Sequence, residues 1–98
     1  MTYVVATVIE GDFEWDEDKA ASNIETHGVS FPEAATAFAD PQAVYLDDGS
    51  RTDRIIVIGT SVRNRLLCVV HIERGERDRI ISARRATRSE RDVYESGV

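Results

Sequence analysis

The stretch Arg79-Ile-Ile-Ser-Ala-Arg84-Arg85-Ala-Thr-Arg88-Ser-Glu-Arg91 decides the fold, because the hydrophobic pattern changes its period inside it. Residues 79–86 combine β-branched and small side chains, a composition that predicts a strand. A helix is predicted to begin at Thr87 or Ser89 and to dock through Val93 and Tyr94. We therefore expect the last strand to pass directly into a terminal helix.

Three more strands are predicted upstream of this one. They cover Ala43–Leu46, Arg54–Ser61 and Leu66–Glu73. The segments between the strands, at residues 47–50, 62–65 and 74–77, contain the Gly, Asp or Asn residues that turns favour. Short strands at this regular spacing predict a twisted antiparallel meander.

A first helix is predicted before the meander. Asp16 is placed to cap it, because a carboxylate can accept from the free amides of the first turn. The helix would run to about Thr26, and Gly28 would end it. Its inward face would be formed by Ala20, Ile24 and Asn23.

A second helix follows directly. Ser30 is its predicted cap, Pro32 lies in the first turn, and Glu33 completes the spacing of a capping box. Asp40-Pro41 would end it. Its packing face would be formed by Ala34, Ala35, Ala37, Phe38 and Ala39.

The N-terminal residues Tyr3–Ile9 are predicted to form a strand that extends beyond the minimal domain, and Gly11-Asp12 would break it. Phe13–Trp15 is expected to form a short second strand or the end of the first. Residues 1–98 are thus interpreted as one α+β domain, in which this strand and two helices pack on the sheet and a helix closes the chain.

The charge is divided between the two halves of the chain. All eleven arginines lie between Arg51 and Arg91, whereas residues 1–49 carry one basic and eleven acidic side chains, a net −10. Residues 50–98 carry a net +4, and the total is −6. The total argues against indiscriminate nucleic-acid binding, but the arginine fork matches phosphate oxygens. The basic half is therefore a place to look for RNA chemistry, and equally a partner for the acidic half.

Composition excludes several other classes of protein and site. No apolar run approaches the length of a membrane span, and residues 1–12 lack the pattern of a secretory signal. The single cysteine, Cys68, allows no intrachain disulfide, which fits the cytoplasm, and an apolar strand should bury it and raise the pKa of its thiol. His27 and His71 have no partners at metal-ligand spacing, so neither a metal nor a cofactor is expected.

RNA cleavage by the 2′-hydroxyl needs a base, an acid and cations that stabilise the charge developing at phosphorus. His27 or His71 could transfer the proton, since histidine titrates near neutral pH. Arg54, Arg84 or Arg85 could hold the phosphate. Tyr94 could contribute a hydroxyl or a stacking ring.

The hairpin of residues 66–86 predicts how these groups share a surface. With an even loop at Gly75-Glu76, His71 would face Ile80, Val69 would face Ser82 and Leu67 would face Arg84. His71, Ser82 and Arg84 would then share one face of the sheet, and Arg79 and Arg85 would lie on the other. An odd loop would exchange the two groups.

Simpler structural roles stay open for the same residues. His27 ends a helix, where either protonation state is useful, and His71 can be a half-buried strand residue. Arg88 and Arg91 can pair with Glu90 and Glu95 on the helix surface. Trp15 and Phe31 are expected to be core residues.

Two strings in this order are specific enough to identify a resemblance. They are His27-Gly-Val-Ser-Phe31 and Arg79-Ile-Ile-Ser-Ala-Arg84, and with them the chain resembles the BrnT family of type II toxins, also described as DUF497, over residues 13–95. The other matching positions are Phe13-Glu-Trp-Asp16, Lys19, Asn23, Glu33-Ala34, Phe38, Asp40, Arg54, Ile58-Gly59, Arg85-Ala86, Glu90 and Tyr94. Departures include Thr26 where a basic residue is common, Asp53 where a glutamate is common, and the acidic net charge.

The resemblance implies a RelE/ParE-like fold and a ribonuclease that cuts RNA without metal and arrests translation. It also implies a BrnA-like antitoxin with a ribbon-helix-helix part, in a heterotetramer of two toxins and two antitoxins that meets operator DNA only through the antitoxin. Residues His27, Arg54, His71, Arg84 and Arg85 are the candidate catalytic set. Residues Lys19, Arg79, Ser82 and Tyr94 are the candidate RNA-binding set.

Two other functions fit the same sequence. One is a non-catalytic interaction module of the same fold that binds an antitoxin-like transcriptional regulator. The other is inhibition of DNA gyrase, as in ParE-type relatives.

Overall fold

A computed structural model describes residues 6–49 and 53–97. The strands are β1 (Thr7–Glu10), β2 (Phe13–Asp16), β3 (Val44–Asp47), β4 (Ile55–Thr60), β5 (Leu66–Arg74) and β6 (Arg77–Arg85). The helices are α1 (Glu17–His27), α2 (Phe31–Thr36) and α3 (Arg88–Ser96), with a 3₁₀ turn at Ala37–Ala39. This α+β architecture matches the predicted order of elements. Within the described ranges, no helix is both long and apolar enough to cross a membrane.

The six strands form one sheet in the order β1-β2-β6-β5-β4-β3. The predicted antiparallel meander is confirmed in β3 to β6. The whole sheet is mixed, however, because β2 joins it and pairs with β6 in parallel, through Phe13 with Asp78 and Glu14 with Arg79. Parallel neighbours need a long crossover, and the helices and the meander between β2 and β6 supply it. As a result β6 is an interior strand with a partner on each side.

The N-terminal strand is shorter in the described residues than the prediction. β1 begins at Thr7 and pairs with β2 in an antiparallel hairpin around Gly11, whose φ of 59° suits glycine. The part of the predicted strand at residues 3–5 lies outside the described residues.

α1 begins and ends at the predicted residues. The Asp16 side chain accepts from the amides of Asp18 and Lys19, and Gly28 ends the helix in the left-handed conformation. The inward position predicted for Ile24 is wrong, since its side chain is 50% exposed. Asn23, the preceding residue, is buried instead. The buried face of α1 therefore includes position 23 and not position 24.

α2 is capped by Ser30, which accepts from the Glu33 amide at 3.1 Å. The reciprocal half of the predicted capping box does not form. The Glu33 carboxylate turns instead toward Ser61 and Arg65 in the β4–β5 turn. The helix thus begins as predicted while its third residue links it to the meander.

The core lies between α1, α2 and one face of the sheet. Trp15 and Phe31 meet edge to face with ring centroids 6.0 Å apart, which confirms their prediction as core residues. Gly59 lets β4 approach the 3₁₀ turn closely, since a Cβ there would lie 2.6 Å from the carbonyl oxygen of Ala37.

A β-bulge shifts the β5–β6 register. His71 pairs with Ile80 as predicted, but Val69 pairs with Ala83 and Leu67 with Arg85. The extra residue in β6 exchanges the two faces beyond it. The prediction that His71, Ser82 and Arg84 share a face is therefore wrong. The prediction that Arg85 lies on the face opposite His71 is also wrong, because Arg85 and His71 share one face.

Candidate functional site

The arginines of β6 have different partners. Arg79 donates to Glu14 at 2.6 Å, and Arg84 donates to both carboxylate oxygens of Glu90 at 2.7 and 2.8 Å. Arg85 is exposed and makes no ion pair with the described parts of the chain. Of these three guanidinium groups, only that of Arg85 is available to an external anion without breaking an ion pair.

The Arg84–Glu90 pair joins the end of β6 to α3. Its hydrogen bonds lower the pKa of Glu90 to about 2, against the opposing effect of burial. The same bonds raise the pKa of Arg84. Cys68 lies opposite Arg84 in the register, and burial raises the pKa of its thiol to about 11, in agreement with the sequence prediction. These features point to a structural role for the Arg84 side chain.

Lys19 and His27 line a shallow groove of about 190 Å³ between α1 and β6. Its other lining residues are Ser22, Asn23, Thr26 and Ile81. Both Lys19 and His27 are exposed. The helical lining residues come together because positions 19, 22, 23, 26 and 27 lie on one side of α1. Ile81, the extra residue of the bulge in β6, lines the sheet side of the groove.

Asn23 fixes this groove to β6. Its Nδ2 donates to the carbonyl oxygens of Val29 at 2.9 Å and Ala83 at 2.7 Å, and its Oδ1 accepts from the Ala83 amide at 3.1 Å. The α1–α2 loop therefore lies beside the end of β6, two residues before Arg85. His27 and Arg85 consequently belong to the same end of the molecule.

A second cavity, of about 260 Å³, opens where β6 passes into α3. We call it the basic cavity; its lining residues are Asn64, Arg65, Leu66, Arg85, Ala86 and Arg91. Arg65 also donates to the carbonyl oxygen of Gly28 at 3.1 Å, directly after His27. The groove and the basic cavity are thus connected through Arg65 and the α1–α2 loop.

His71 and Arg54 lie toward the other end of the sheet. His71 is four residues along β5 from the partner of Arg85, about 13 Å away at strand spacing. Its side chain is 2% exposed and packs against Phe38 at a centroid distance of 4.8 Å. Arg54 directly precedes β4, whose first residue pairs with His71. The structure does not bring these two residues to the groove.

Burial controls the protonation of His71. It lowers the pKa of the imidazole, and the nearby Asp78 opposes this effect. Nδ1 lies 3.3 Å from Asp78 Oδ1, but neither ring nitrogen makes a hydrogen bond to the described residues. A neutral, buried ring is poorly placed to exchange protons with a substrate.

The last two predicted residues, Ser82 and Tyr94, lie apart from the groove. Ser82 pairs with Val70 beside Arg84. Tyr94 donates to Asp40 Oδ2 at 2.6 Å and accepts from Thr60 at 3.3 Å, and the bond to Asp40 raises the pKa of its hydroxyl. Tyr94 therefore holds α3 against β4 in this arrangement.

A larger cavity of about 680 Å³ lies between the β3 edge and α3. Its lining, as far as the structure describes it, consists of Pro41, Gln42, Ala43, Val44, Tyr94, Glu95 and Gly97, which include one carboxylate and no cation. That lining is unsuited to a phosphate. Among the residues described, no three His, Cys, Asp or Glu side chains come together as a metal site would require.

Sequence reasoning missed Asn64, Arg65 and Arg91 as possible site residues. Asn64 and Arg65 fall within the turn predicted at residues 62–65, and Arg91 is predicted to lie on the helix surface. Glu33 could have pointed to Arg65, because an acidic residue beside a buried helix face needs a partner of opposite charge, and that partner has to come from elsewhere in the chain.

Comparisons with known proteins agree with the resemblance seen in the sequence. Residues 15–90 match the family described as "Ribonuclease toxin, BrnT, of type II toxin-antitoxin system". The 1.1 Å crystal structure of the Brucella abortus ribonuclease toxin BrnT is similar, with a TM-score of 0.62 and 26% identity over 76% of this chain and 94% of that one. No curated protein matches the sequence.

Proposed function

Because the chain belongs to the BrnT family of ribonuclease toxins of type II toxin–antitoxin systems, we propose that it cleaves RNA itself, without a metal, and so inhibits translation. The observation that carries the proposal is the position of His27. It is exposed in a groove with Lys19, at the same end of the molecule as the unpaired guanidinium of Arg85.

In the proposed reaction the 2′-oxygen of the RNA forms a bond to phosphorus while the bond from phosphorus to the 5′-oxygen breaks. His27 carries out one of the two proton transfers, either accepting the 2′-hydroxyl proton or protonating the leaving 5′-oxygen, and water carries out the other. Arg85 and Lys19 stabilise the charge that develops on the phosphoryl oxygens. Each of the three side chains is exposed, so a strand of RNA can reach them.

The remaining predicted residues take supporting roles in this proposal. Arg79 bonds to Glu14 and so joins β6 to β2. Arg84 bonds to Glu90 and Tyr94 bonds to Asp40, and both contacts hold α3 against the sheet. His71 belongs to the core, and Arg54 and Ser82 lie away from the groove. A relation of the fold to RelE and ParE stays a prediction.

Membership of a type II family implies an antitoxin partner. We further propose a BrnA-like antitoxin with a ribbon-helix-helix part, assembled as two toxins with two antitoxins. Operator DNA would be contacted only by the antitoxin, and both proteins would act in the cytoplasm.

One observation favours a non-catalytic module as the second candidate. Three of the arginines that could bind phosphate already form ion pairs with carboxylates of the same chain. These pairs are Arg79 with Glu14, Arg65 with Glu33 and Arg84 with Glu90. A protein that had lost cleavage could keep these pairs and still bind an antitoxin-like regulator.

The test is expression without the partner, followed by an in vitro assay with EDTA present. The proposal predicts growth arrest and cleaved RNA, and it predicts that Arg85→Ala and His27→Gln each reduce the cleavage rate by about 100-fold or more. Arg88→Ala is the matched control, because Arg88 is an exposed arginine that lines neither cavity.

Circular dichroism must show that the variants stay folded. Normal growth at high soluble expression would support the non-catalytic module, and unchanged cleavage by both variants would reject the proposed site. Loss of supercoiling activity of gyrase, with intact RNA, would instead favour the ParE-type alternative.

A further inference from the structure

The basic cavity is unusual for an acidic chain because none of the described residues that line it carries a carboxylate. Three of its six lining residues, Arg65, Arg85 and Arg91, carry guanidinium groups, while the chain has a net charge of −6. Fixed positive charge around a concave surface attracts anions more strongly than the same charge on a flat surface.

Arg65 forms a prepared wall of this cavity. Its Nε donates to Glu33 Oε2 at 2.9 Å and its Nη2 to Glu33 Oε1, and the side chain is only 17% exposed. Glu33 also lies 3.7 Å from Arg63, so one carboxylate faces two guanidinium groups. The charge left over in the β4–β5 turn is that of Arg63, which does not line the cavity. Arg65 therefore contributes a fixed wall, and the charge available to a ligand comes from Arg85 and Arg91.

Asn64 and Arg91 complete the cavity from opposite sides. Asn64 has a φ of 60°, the left-handed region, and its side-chain amide makes no hydrogen bond with the described residues. Arg91, in α3, makes no ion pair within those ranges. Both side chains can turn their donors toward a ligand without giving up another bond.

The lining favours a phosphate over an acidic protein segment. Protein-binding hot spots combine arginine with tryptophan and tyrosine, whereas none of the described lining residues is aromatic and the one large apolar residue among them, Leu66, is 8% exposed. A cavity of about 260 Å³ is also below the range typical of drug-sized ligands and can hold a single anionic group. Planar guanidinium groups match phosphate oxygens in pairs.

We propose that the basic cavity is a binding subsite for a phosphodiester of the RNA strand, with Asn64 and Arg91 as binding residues beside Arg85. The inference rests on the proposed ribonuclease function and adds to it a site outside the His27 groove. Because the cavity adjoins the α1–α2 loop, an RNA strand in the groove can continue into it.

Binding can be measured separately from cleavage with a short 2′-O-methyl oligoribonucleotide, which lacks the attacking hydroxyl. In an NMR titration of the full chain, we expect saturable shifts of the Asn64 side-chain amide and of the Arg85 and Arg91 Nε–H signals. Arg91→Gln should weaken binding about tenfold. Arg88→Gln, with the same change in charge three residues earlier, should change it less than about twofold.

Asn64→Gly is a second variant, since glycine adopts the positive φ of this turn freely while removing the amide. It should weaken oligonucleotide binding and leave the unfolding midpoint unchanged. Equal losses in Arg88→Gln and Arg91→Gln would overturn the proposal, because they would show an effect of net charge alone.

Two further titrations identify the ligand. Inorganic phosphate should bind at the same residues more weakly than the oligonucleotide; the reverse order would mark a free-phosphate site and overturn the RNA assignment. A hexaglutamate peptide that binds there while the oligonucleotide does not would assign the cavity to an acidic protein partner. Oligonucleotide binding by a chain that cleaves no RNA would support the subsite and reject the proposed catalysis.

Discussion

Glu33 is a buried carboxylate whose partners come from two segments of the chain. Its backbone amide is capped by Ser30, while its carboxylate accepts from Ser61 at 2.7 Å and from Arg65. The hydrogen bond from Arg65 lowers the pKa of Glu33, with burial opposing it and Ser61 assisting. The residue therefore fastens α2 to the turn that forms one wall of the basic cavity.

Glu33→Gln should lower the free energy of unfolding by about 2–3 kcal/mol, because it leaves Arg65 without its counter-charge in a mostly buried site. Urea unfolding at pH 7 measures the change. Glu25→Gln, on the exposed side of α1, is the matched control and should change stability by less than about 0.5 kcal/mol. Equal, small effects would contradict the assigned role.

For individual residues, the sequence predicts helix-capping residues more successfully than the hydrogen-bond partners of buried polar side chains. Asp16, Ser30 and Gly28 follow local rules, in which a side chain or a free φ serves its own helix end. Asn23 and Glu33 bond to residues far along the chain, and a local pattern holds no information about those partners. The sequence predicts Asn23 as an inward residue but does not predict its bridge to β6.

At the scale of elements, the contact between β4 and the 3₁₀ turn depends on one missing side chain. A Cβ on Gly59 would meet the Ala37 carbonyl oxygen at 2.6 Å and the Ala43 side chain at 3.3 Å. The obstacle is backbone, which cannot rotate away.

Gly59→Ala should therefore destabilise the fold by about 2 kcal/mol, because the 3₁₀ turn must move to admit the methyl group. Gly49→Ala is the control, since nothing lies within 4 Å of a Cβ built there. Thermal unfolding followed by circular dichroism compares them. If Gly59→Ala unfolds at the same temperature as Gly49→Ala, the close approach is wrong.

The attachment of α3 predicts a dependence on pH. Glu90 has a folded-state pKa of about 2, below its ordinary 4.5, so its stabilising contribution is present above pH 4.5 and is lost as the pH falls toward 2. Glu90→Gln should cost about 2 kcal/mol at pH 7, and that deficit should shrink between pH 4.5 and 2.

Urea unfolding at pH 7, 4 and 2.5 tests this prediction against Glu95→Gln, an exposed residue of the same helix. A deficit that stays constant across these values would contradict a stabilising role for the charged Glu90 carboxylate, because its bonds with Arg84 and with the Thr87 amide both lower its pKa.

The sequence predicted nearly all elements but not every pairing between them. The alternation of side chains along a strand predicts which of them share a face only while the pairing register is continuous. The bulge between the His71–Ile80 and Val70–Ser82 pairs shifts that register. The parallel contact of β2 with β6 was missed for a related reason. Hydrophobic pattern locates a strand, whereas its neighbour depends on how the whole chain is connected.

At the scale of the whole molecule, the two charged halves are partly neutralised by each other. Glu14 and Glu33 from the acidic half bond to Arg79 and Arg65 from the basic half. The acidic residue at position 16 serves the first helix instead. Of the other cations, Lys19, Arg85 and Arg91 line the groove and the basic cavity, whereas Arg74 and Arg77 lie at the β5–β6 turn, away from both. Few cations are therefore placed along the proposed RNA path.

RNA binding should therefore depend only weakly on salt. If Lys19, Arg85 and Arg91 each meet one phosphate, log Kd should change against log salt with a slope near 2 in magnitude, from about 0.7 per contact on a single strand. Fluorescence anisotropy with a labelled 2′-O-methyl oligonucleotide between 50 and 200 mM salt measures it. A slope near 5 would mean that binding spreads over many more arginines.

The place of β6 between β2 and β5 also has a consequence for synthesis. Glu14 and Asn23 bond to Arg79 and Ala83, 65 and 60 residues later, so the groove cannot close while the chain is still largely within the ribosome. Contacts of such long separation form late in folding. If the chain cleaves RNA as proposed, the nascent chain is therefore expected to gain that activity only after β6 has emerged from the ribosome.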